Sequence, residues 1–192
     1  MGNPNVLIGS DYGPIIININ DFGVGRGVSQ SGYWSKDDID IIKILINSIL
    51  SKKESCLVYD VGANIGTHSL ALSKIFGERI RIRAFEAQRE VFNMLCGTVA
   101  LNGLSNIYCH DVAIGDGKIK SMKIQLPDYG EINNFGGLEL MPPVHSDNQR
   151  MKKIKLKRWL LRPWMILMRR WISSKWILRG WKIRHLKAPN KH

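Results

Sequence analysis

VYDVGANIGTHSLALSK, residues 58–74, reads as the end of a buried strand, a glycine-rich turn and the start of a helix. Leu57, Val58 and Tyr59 close an apolar run, Asp60 ends it, and Gly62 and Gly66 bracket a turn of mostly small residues. Glycine tolerates positive φ and lets a ligand touch backbone. From Thr67 onward Leu70, Ala71, Leu72, Ile75 and Phe76 suit a helix, whose positive end then points at the turn. An anionic or strongly polar ligand belongs there. An ordinary tight turn has the same composition, and the following residues discriminate between the two.

Ile80–Phe85 (IRIRAF) is a second predicted strand ending in Glu86, twenty residues beyond Gly66. An acid at that place accepts ribose hydroxyls, as in NAD-binding domains. The turn, however, reads Asp-x-Gly-x-Asn-x-Gly from Asp60 to Gly66, not Gly-x-Gly-x-x-Gly. That difference favours S-adenosylmethionine, a nucleoside joined to an amino acid with no pyrophosphate. An NAD-dependent enzyme is the alternative at the same turn.

DVGANIGTHSLAL from Asp60, AFEAQREVFNMLCGTVALNGLSNI from Ala84 and DVAIGDG from Asp111 stand in an order and spacing that resembles FkbM-type methyltransferases. The resemblance runs from about Asp21 to Leu140. It implies an α/β, Rossmann-like methyltransferase fold with a mainly parallel sheet and S-adenosylmethionine as methyl donor. It also implies O-methylation of a hydroxyl on a carbohydrate or natural product, hence a small-molecule or glycan substrate. Carried over by position, Asp60, Gly62, Asn64 and Gly66 would line the methionine end of the cofactor, Glu86 the ribose and Asp111 the adenine edge.

Upstream, Ile15–Ile19 is a β-branched run of strand character, and Gly23, Gly25 and Gly27 recur at every second position. With no helix expected directly after them, these glycines read as a loop, either flexible at the mouth of the site or merely connecting. Ser35 and Asp38 resemble a shortened capping box, and Ile39, Ile42, Leu45, Ile46, Ile49 and Leu50 form a stripe expected to pack on the sheet. Arg89–Leu101 is a second crossover helix with Val91, Leu95 and Val99 inward and Asn102-Gly103 as its stop, and residues 106–113 return to the sheet. Strand, helix, strand, helix, strand predicts parallel strands with right-handed crossovers. Their ligand sits at the carboxyl ends, about where Asp60, Glu86 and Asp111 fall. Residues 119–126 alternate like a further strand, and DYGEINNFGGLEL from Asp128 to Leu140 resembles the family's loop back to the sheet. Asn133 and Asn134 in that loop are turn formers or substrate contacts.

The 192 residues leave room for one domain with a real core. Residues 1–150 hold 14 Lys+Arg against 16 Asp+Glu, whereas residues 151–192 hold 14 basic residues and no acid. The formal charge of +12 is therefore a property of the tail, and says little about the partner of the folded part. Cys56, Cys96 and Cys109 have neither paired nor metal-ligand spacing, which suggests reduced core thiols and no zinc-type metal site. The N-terminus has no basic segment followed by an apolar one, and Val6 stands where a myristoylation motif wants Ser or Thr. A cytoplasmic protein is the expectation.

From Met151 the resemblance stops, so residues 1–141 are read as the methyltransferase core and 142–192 as an aberrant tail. The tail, MKKIKLKRWLLRPWMILMRRWISSKWILRGWKIRHLK onward, carries five of the six tryptophans. Interleaved aromatic and basic residues suit an anionic membrane surface or nucleic acid. A reading-frame shift accounts for them better. Suppose each original codon is the last base of one codon here plus the first two of the next. Trp or Met before Ile or Met then becomes Asp, and before Lys becomes Glu. Across Trp171–Lys182 this forces acids at the first, sixth and eleventh steps and permits DFIKMDIEGME; Arg162–Ile166 permits TLDD with both aspartates forced. Both strings resemble what FkbM-type enzymes carry at about this place. The shift then lies between Gly137 and Arg162, and the C-terminal strands and some substrate-side carboxylates are missing or altered. An inactive truncated homologue is accordingly an alternative to an active enzyme, as is a binding protein driven by the basic tail. No specific nucleic-acid partner is expected.

Methyl transfer from a sulfonium is an in-line displacement, promoted by holding nucleophile and methyl close, aligned and dry. His68, Asp128 and Glu131 are weak candidate general bases; His68, at the head of a helix, is of a kind more often used for packing or capping, and no catalytic residue is assigned. His110 precedes Asp111 and by strand alternation faces the other way.

Overall fold

A computed structural model of the chain describes residues 2–115, 121–125, 127–137, 156–163 and 178–179. The strands are β1 (Asn5–Ser10), β2 (Gly13–Asn18), β3 (Cys56–Val61), β4 (Ile80–Glu86), β5 (Ile107–Asp111), β6 (Ala113–Gly115), β7 (Ser121–Gln125), β8 (Leu156–Pro163) and β9 (Leu178–Arg179). The helices are α1 (Val24–Ser31), α2 (Lys36–Leu50), α3 (Thr67–Phe76) and α4 (Arg89–Leu101). The fold is α/β and Rossmann-like, as the order of elements predicts.

Its centre is a parallel sheet in the order β5-β4-β3-β9. The chain moves outward from β3 through β4 to β5, then returns to the opposite flank of β3. The strand order therefore reverses between β3 and β9, and an open α/β sheet leaves its ligand crevice beyond the carboxyl ends at such a reversal. β3 and β4 pair from Cys56↔Ile80 to Val61↔Phe85, whereas the other flank pairs only Asp60↔Leu178 and Val61↔Arg179. Among the described residues, 56–59 have no partner on that flank.

Two apolar clusters hold the layers together. Ile46 and Leu50 of α2, Leu72 and Phe76 of α3 and Leu95 of α4 pack with Val58, Ile80, Ile82, Ala84 and Ile107 of the sheet. Ile80, Ile82 and Leu95 are wholly buried, each contributing about 1.5–3 kcal/mol by removal from water. On the other side of α3 and α4, Leu70, Val91 and Met94 pack with Ile15 and Ile17 of the β1–β2 hairpin and Val24 and Val28 of α1. The helices are thus sandwiched between sheet and hairpin. A buried polar tie fixes the lower edge: Ser73 Oγ donates to Asn106 Oδ1 (2.7 Å), and Asn106 Nδ2 donates to the carbonyls of Gly77 (2.9 Å) and Ile80 (3.1 Å).

Three expectations change. The loop expected at Gly23, Gly25 and Gly27 is helix α1. Asp21 makes it possible, its Oδ1 accepting from Gly23 N–H (3.0 Å) and its Oδ2 from Gly25 N–H (2.8 Å), while the bare Gly27 lets the Trp34 ring lie against the helix. Ser35 makes no side-chain cap and sits in the left-handed region at φ 48°. In α2 only Ile39, Ile46 and Leu50 are buried, and Leu45 faces outward beside Ile41 and Ile44. In the tail, β8 lies parallel to β6 and antiparallel to β7. The suspected shift region up to residue 155, and residues 164–177 and 180–192, lie outside the described residues.

The three cysteines are free and half-buried. Burial pushes all three thiols up, Cys109 to about 12, in keeping with inert core thiols. Among the described residues no helix is long and apolar enough to cross a membrane.

Candidate cofactor site

β3, β4 and β5 deliver Asp60, Glu86 and Asp111 to their carboxyl ends, where Glu86 and Asp111 are register partners. Between Asp60 and α3 the chain makes the expected turn. The N–H groups of Gly62 and Ala63 both donate to the Phe85 carbonyl (2.9 Å each), and Gly66 N–H donates to Ala63 (2.9 Å). Gly62, Asn64 and Gly66 have φ of 79°, 52° and 92°. The Asn64 side chain offsets its own strain by accepting Ile65 N–H at 2.7 Å. Nothing lies within 4 Å of the place a Cβ would occupy on Gly62, so backbone is open to a ligand there. The N–H groups of Thr67, His68 and Ser69 meet no acceptor among the described residues. They form a donor set at the positive end of α3.

Two buried carboxylates brace this turn. Asp60 accepts from Ser69 Oγ at 2.6 Å, pinning the first turn of α3 to β3. Glu86 accepts Asn64 N–H through Oε2 (3.0 Å) and Gln88 N–H through Oε1 (2.7 Å). Both carboxylates are only 6% exposed. Burial pushes the Glu86 carboxyl above its ordinary range and the nearby Asp60 charge acts in the same direction, while the N–H groups of Gln88, Asn64 and Ala87 oppose the rise. Asp60, Gly62, Asn64, Gly66 and Glu86 are thus brought together. Asp111 lies one strand further out, partly exposed and paired with Arg89 Nη1 at 2.9 Å.

The segment from Asp128, expected as a loop back to the sheet, is a strap tied beside the glycine turn, a packing that the sequence did not announce. Residues 128–137 include a short 3-10 turn, Phe135–Gly137, against the glycine turn; a Cβ at Gly136 would stand 2.9 Å from Asn64 Nδ2. The Tyr129 carbonyl accepts from Asn18 Nδ2 (3.1 Å) and Asn20 Nδ2 (3.2 Å), and Phe22 N–H donates to Asn133 (3.0 Å). On the sheet side Gln88 Nε2 donates to the Phe135 carbonyl (2.8 Å), and Tyr129 Oη donates to Gln88 Oε1 (2.8 Å). The available signal was Gln88 itself, inside a motif read only for its glutamate.

Asn133 and Asn134 cap turns, accepting the N–H groups of Asn134 (2.8 Å) and Gly137 (2.9 Å), which fits their reading as turn formers. Asp128 and Glu131 are exposed, and Asp128 Oδ1 is occupied by Gly130 N–H (2.9 Å). His68 Nε2 is buried and meets no partner among the described residues. His110 stacks on Phe85 with ring centroids 4.8 Å apart, away from Asp111's ion pair, as strand alternation requires. A shallow crevice lined by Tyr12, Tyr33, Trp34 and Thr67 opens beside the head of α3.

No protein-family model matches the chain, and no curated protein does. Solved structures similar to it include M. jannaschii TYW2 in complex with AdoMet, 16% identical over 66% of this chain and 49% of that one, with a TM-score of 0.41. A SAM-dependent methyltransferase from Agrobacterium tumefaciens is 13% identical over 59% and 33%, with a TM-score of 0.40. The M. jannaschii tRNA m1G37 methyltransferase is 15% identical over 60% and 36%, with a TM-score of 0.39. The chain spans less than half the length of each of these three proteins. One expectation is corrected on this finding: with a tRNA methyltransferase among the similar structures, nucleic acid is no longer set aside as a partner.

Proposed function

We propose that the chain is an S-adenosylmethionine-dependent methyltransferase of FkbM type, acting on a hydroxyl of a carbohydrate or natural product. The observation that carries this reading is the open backbone at Gly62 at the reversal of strand order, with α3 N–H donors that meet no acceptor among the described residues on one side and a buried acid on the other. This donor set fits an amino-acid-bearing nucleoside. The N–H groups at the head of α3 suit a carboxylate, Glu86 has lone pairs left for ribose hydroxyls, and Asp111 stands at the adenine side. When bound, S-adenosylmethionine supplies a methyl group on a cationic sulfur.

The chain's own contribution is positional. Asp60 through Ser69 fixes the helix head, Glu86 fixes the turn, and the strap 128–137 is tied to the head of α4 beside the turn through Gln88. Bound there, the donor would supply its methyl group to an acceptor hydroxyl, whose proton would leave to a base that is not assigned. Residues 1–141 form the core in this reading, and 142–192 are the product of a frame shift. The test is transfer of labelled methyl to glycan, small hydroxylated and tRNA acceptors, by this chain and by one with the frame restored after Gly137. Labelling of a hydroxyl by the restored chain is expected. Labelling of tRNA alone would overturn the acceptor assignment, and no labelling by either folded chain would overturn the function.

A further inference from the structure

Gln88 occupies the N-cap of α4 but its side chain makes no cap hydrogen bond. Ser, Thr, Asp or Asn would stabilise that position, whereas Gln is poorly suited to it. Its side chain instead reaches the strap, donating from Nε2 to the Phe135 carbonyl (2.8 Å) and accepting at Oε1 from Tyr129 Oη (2.8 Å). Its backbone N–H holds Glu86 Oε1 at 2.7 Å. The residue is 6% exposed, so these bonds have no water to replace them. On its far side Glu86 holds Asn64 N–H (3.0 Å), and Asn64 lies beside the strap, its Nδ2 2.9 Å from where a Cβ on Gly136 would stand. A closed circuit results, from the glycine turn through Glu86 and Gln88 to the strap and back.

We propose that Gln88 is a positioning residue that couples ligand occupancy at Glu86 to closure of strap 128–137 over the cofactor turn; this rests on the methyltransferase reading above. A hydroxyl bound at Glu86 restrains its carboxylate, hence the Gln88 backbone, hence the two strap bonds made by the same residue. Coupling is reciprocal, so a strap held in place tightens the ligand by the same factor. Tyr129 suits the circuit as a donor. Burial first, then the charges of Glu90 and Glu86, push its phenol up and keep it protonated.

The test is hydrogen exchange across residues 128–137 with and without saturating S-adenosylhomocysteine, beside calorimetric affinities, for the full chain, Gln88→Leu and Tyr129→Phe. In the unaltered chain the ligand slows strap exchange. In Gln88→Leu that slowing disappears and affinity falls about thirtyfold, the equivalent of two lost neutral hydrogen bonds. Tyr129→Phe, which removes one bond and no packing, shows a partial loss. A merely structural Gln88 would lower the melting temperature and leave the ligand-induced slowing intact, and that result overturns the coupling. Should Gln88→Leu not fold, undiminished slowing in Tyr129→Phe overturns it equally. Absence of S-adenosylhomocysteine binding by the unaltered chain would instead overturn the methyltransferase reading, and the coupling with it.

Discussion

Alanine at Gly66 is expected to destabilise the fold by about 2–5 kcal/mol and to abolish S-adenosylhomocysteine binding. Part of the cost is backbone strain: Gly66 has φ of 92°, and a side chain in the left-handed region costs roughly 1–2 kcal/mol. The rest is steric. A Cβ there would stand 2.7 Å from Leu95 Cδ1, and Leu95 is wholly buried in the sheet-side cluster, so its methyl cannot retreat without repacking. Overpacking of this kind costs about 1–3 kcal/mol. Gly62→Ala provides the contrast. Its φ of 79° carries similar strain, but nothing lies within 4 Å of the new Cβ. That variant should keep most of its stability and lose affinity, because the methyl stands where the ligand must approach. Urea unfolding beside calorimetry separates the two; equal stability of Gly66→Ala and the unaltered chain would show that the turn is not packed as described.

Substitution at Glu86 should have the second-largest effect. Glu86→Ala leaves the N–H groups of Asn64 and Gln88 without their acceptor in a site closed to water. Hydrogen bonds to a charged group are worth about 1.5–3 kcal/mol, so affinity for S-adenosylhomocysteine should fall roughly 10- to 100-fold. The same residue gives stability a pH dependence. Burial raises the folded pKa above the ordinary glutamate value of 4.5, so the folded chain holds this proton more tightly than the unfolded one. The contribution of Glu86 to stability is therefore fully present below 4.5 and is lost as pH rises through the folded pKa. Urea midpoints from pH 4 to 8 for the unaltered chain and Glu86→Gln should show their stability difference shifting in favour of the variant as pH rises. A difference independent of pH would mean that the carboxylate is not desolvated.

The central sheet and its flanking helices were legible because each is written in a local pattern. IRIRAF ends in an acid, Arg89–Leu101 repeats apolar residues at helical spacing, and Asn102-Gly103 stops it. The bracing of the turn was not legible to the same degree. Asp60 was expected at the ligand, yet its Oδ2 serves Ser69, nine residues on, a tie that no periodicity announces. Helix α1 was hidden for a related reason. Gly25 and Gly27 are poor helix formers, and what overrides their propensity is the Asp21 carboxylate and the fit of Trp34. The strap depends on partners about 110 residues away, with Asn18 and Asn20 holding Tyr129, and such pairings leave no trace in local composition. Asp111 was placed correctly at its strand end, while its pairing with Arg89 follows from a helix start that the sequence indicates only to within a residue or two.

Calorimetric titration of the purified chain with S-adenosylhomocysteine, beside Asp60→Ala, tests the central claim most directly. Saturable binding by the unaltered chain, weakened or lost when the Asp60–Ser69 tie is removed, is the predicted result. A folded sample that takes up no S-adenosylhomocysteine would contradict the assignment of the Gly62–Gly66 turn as a cofactor site.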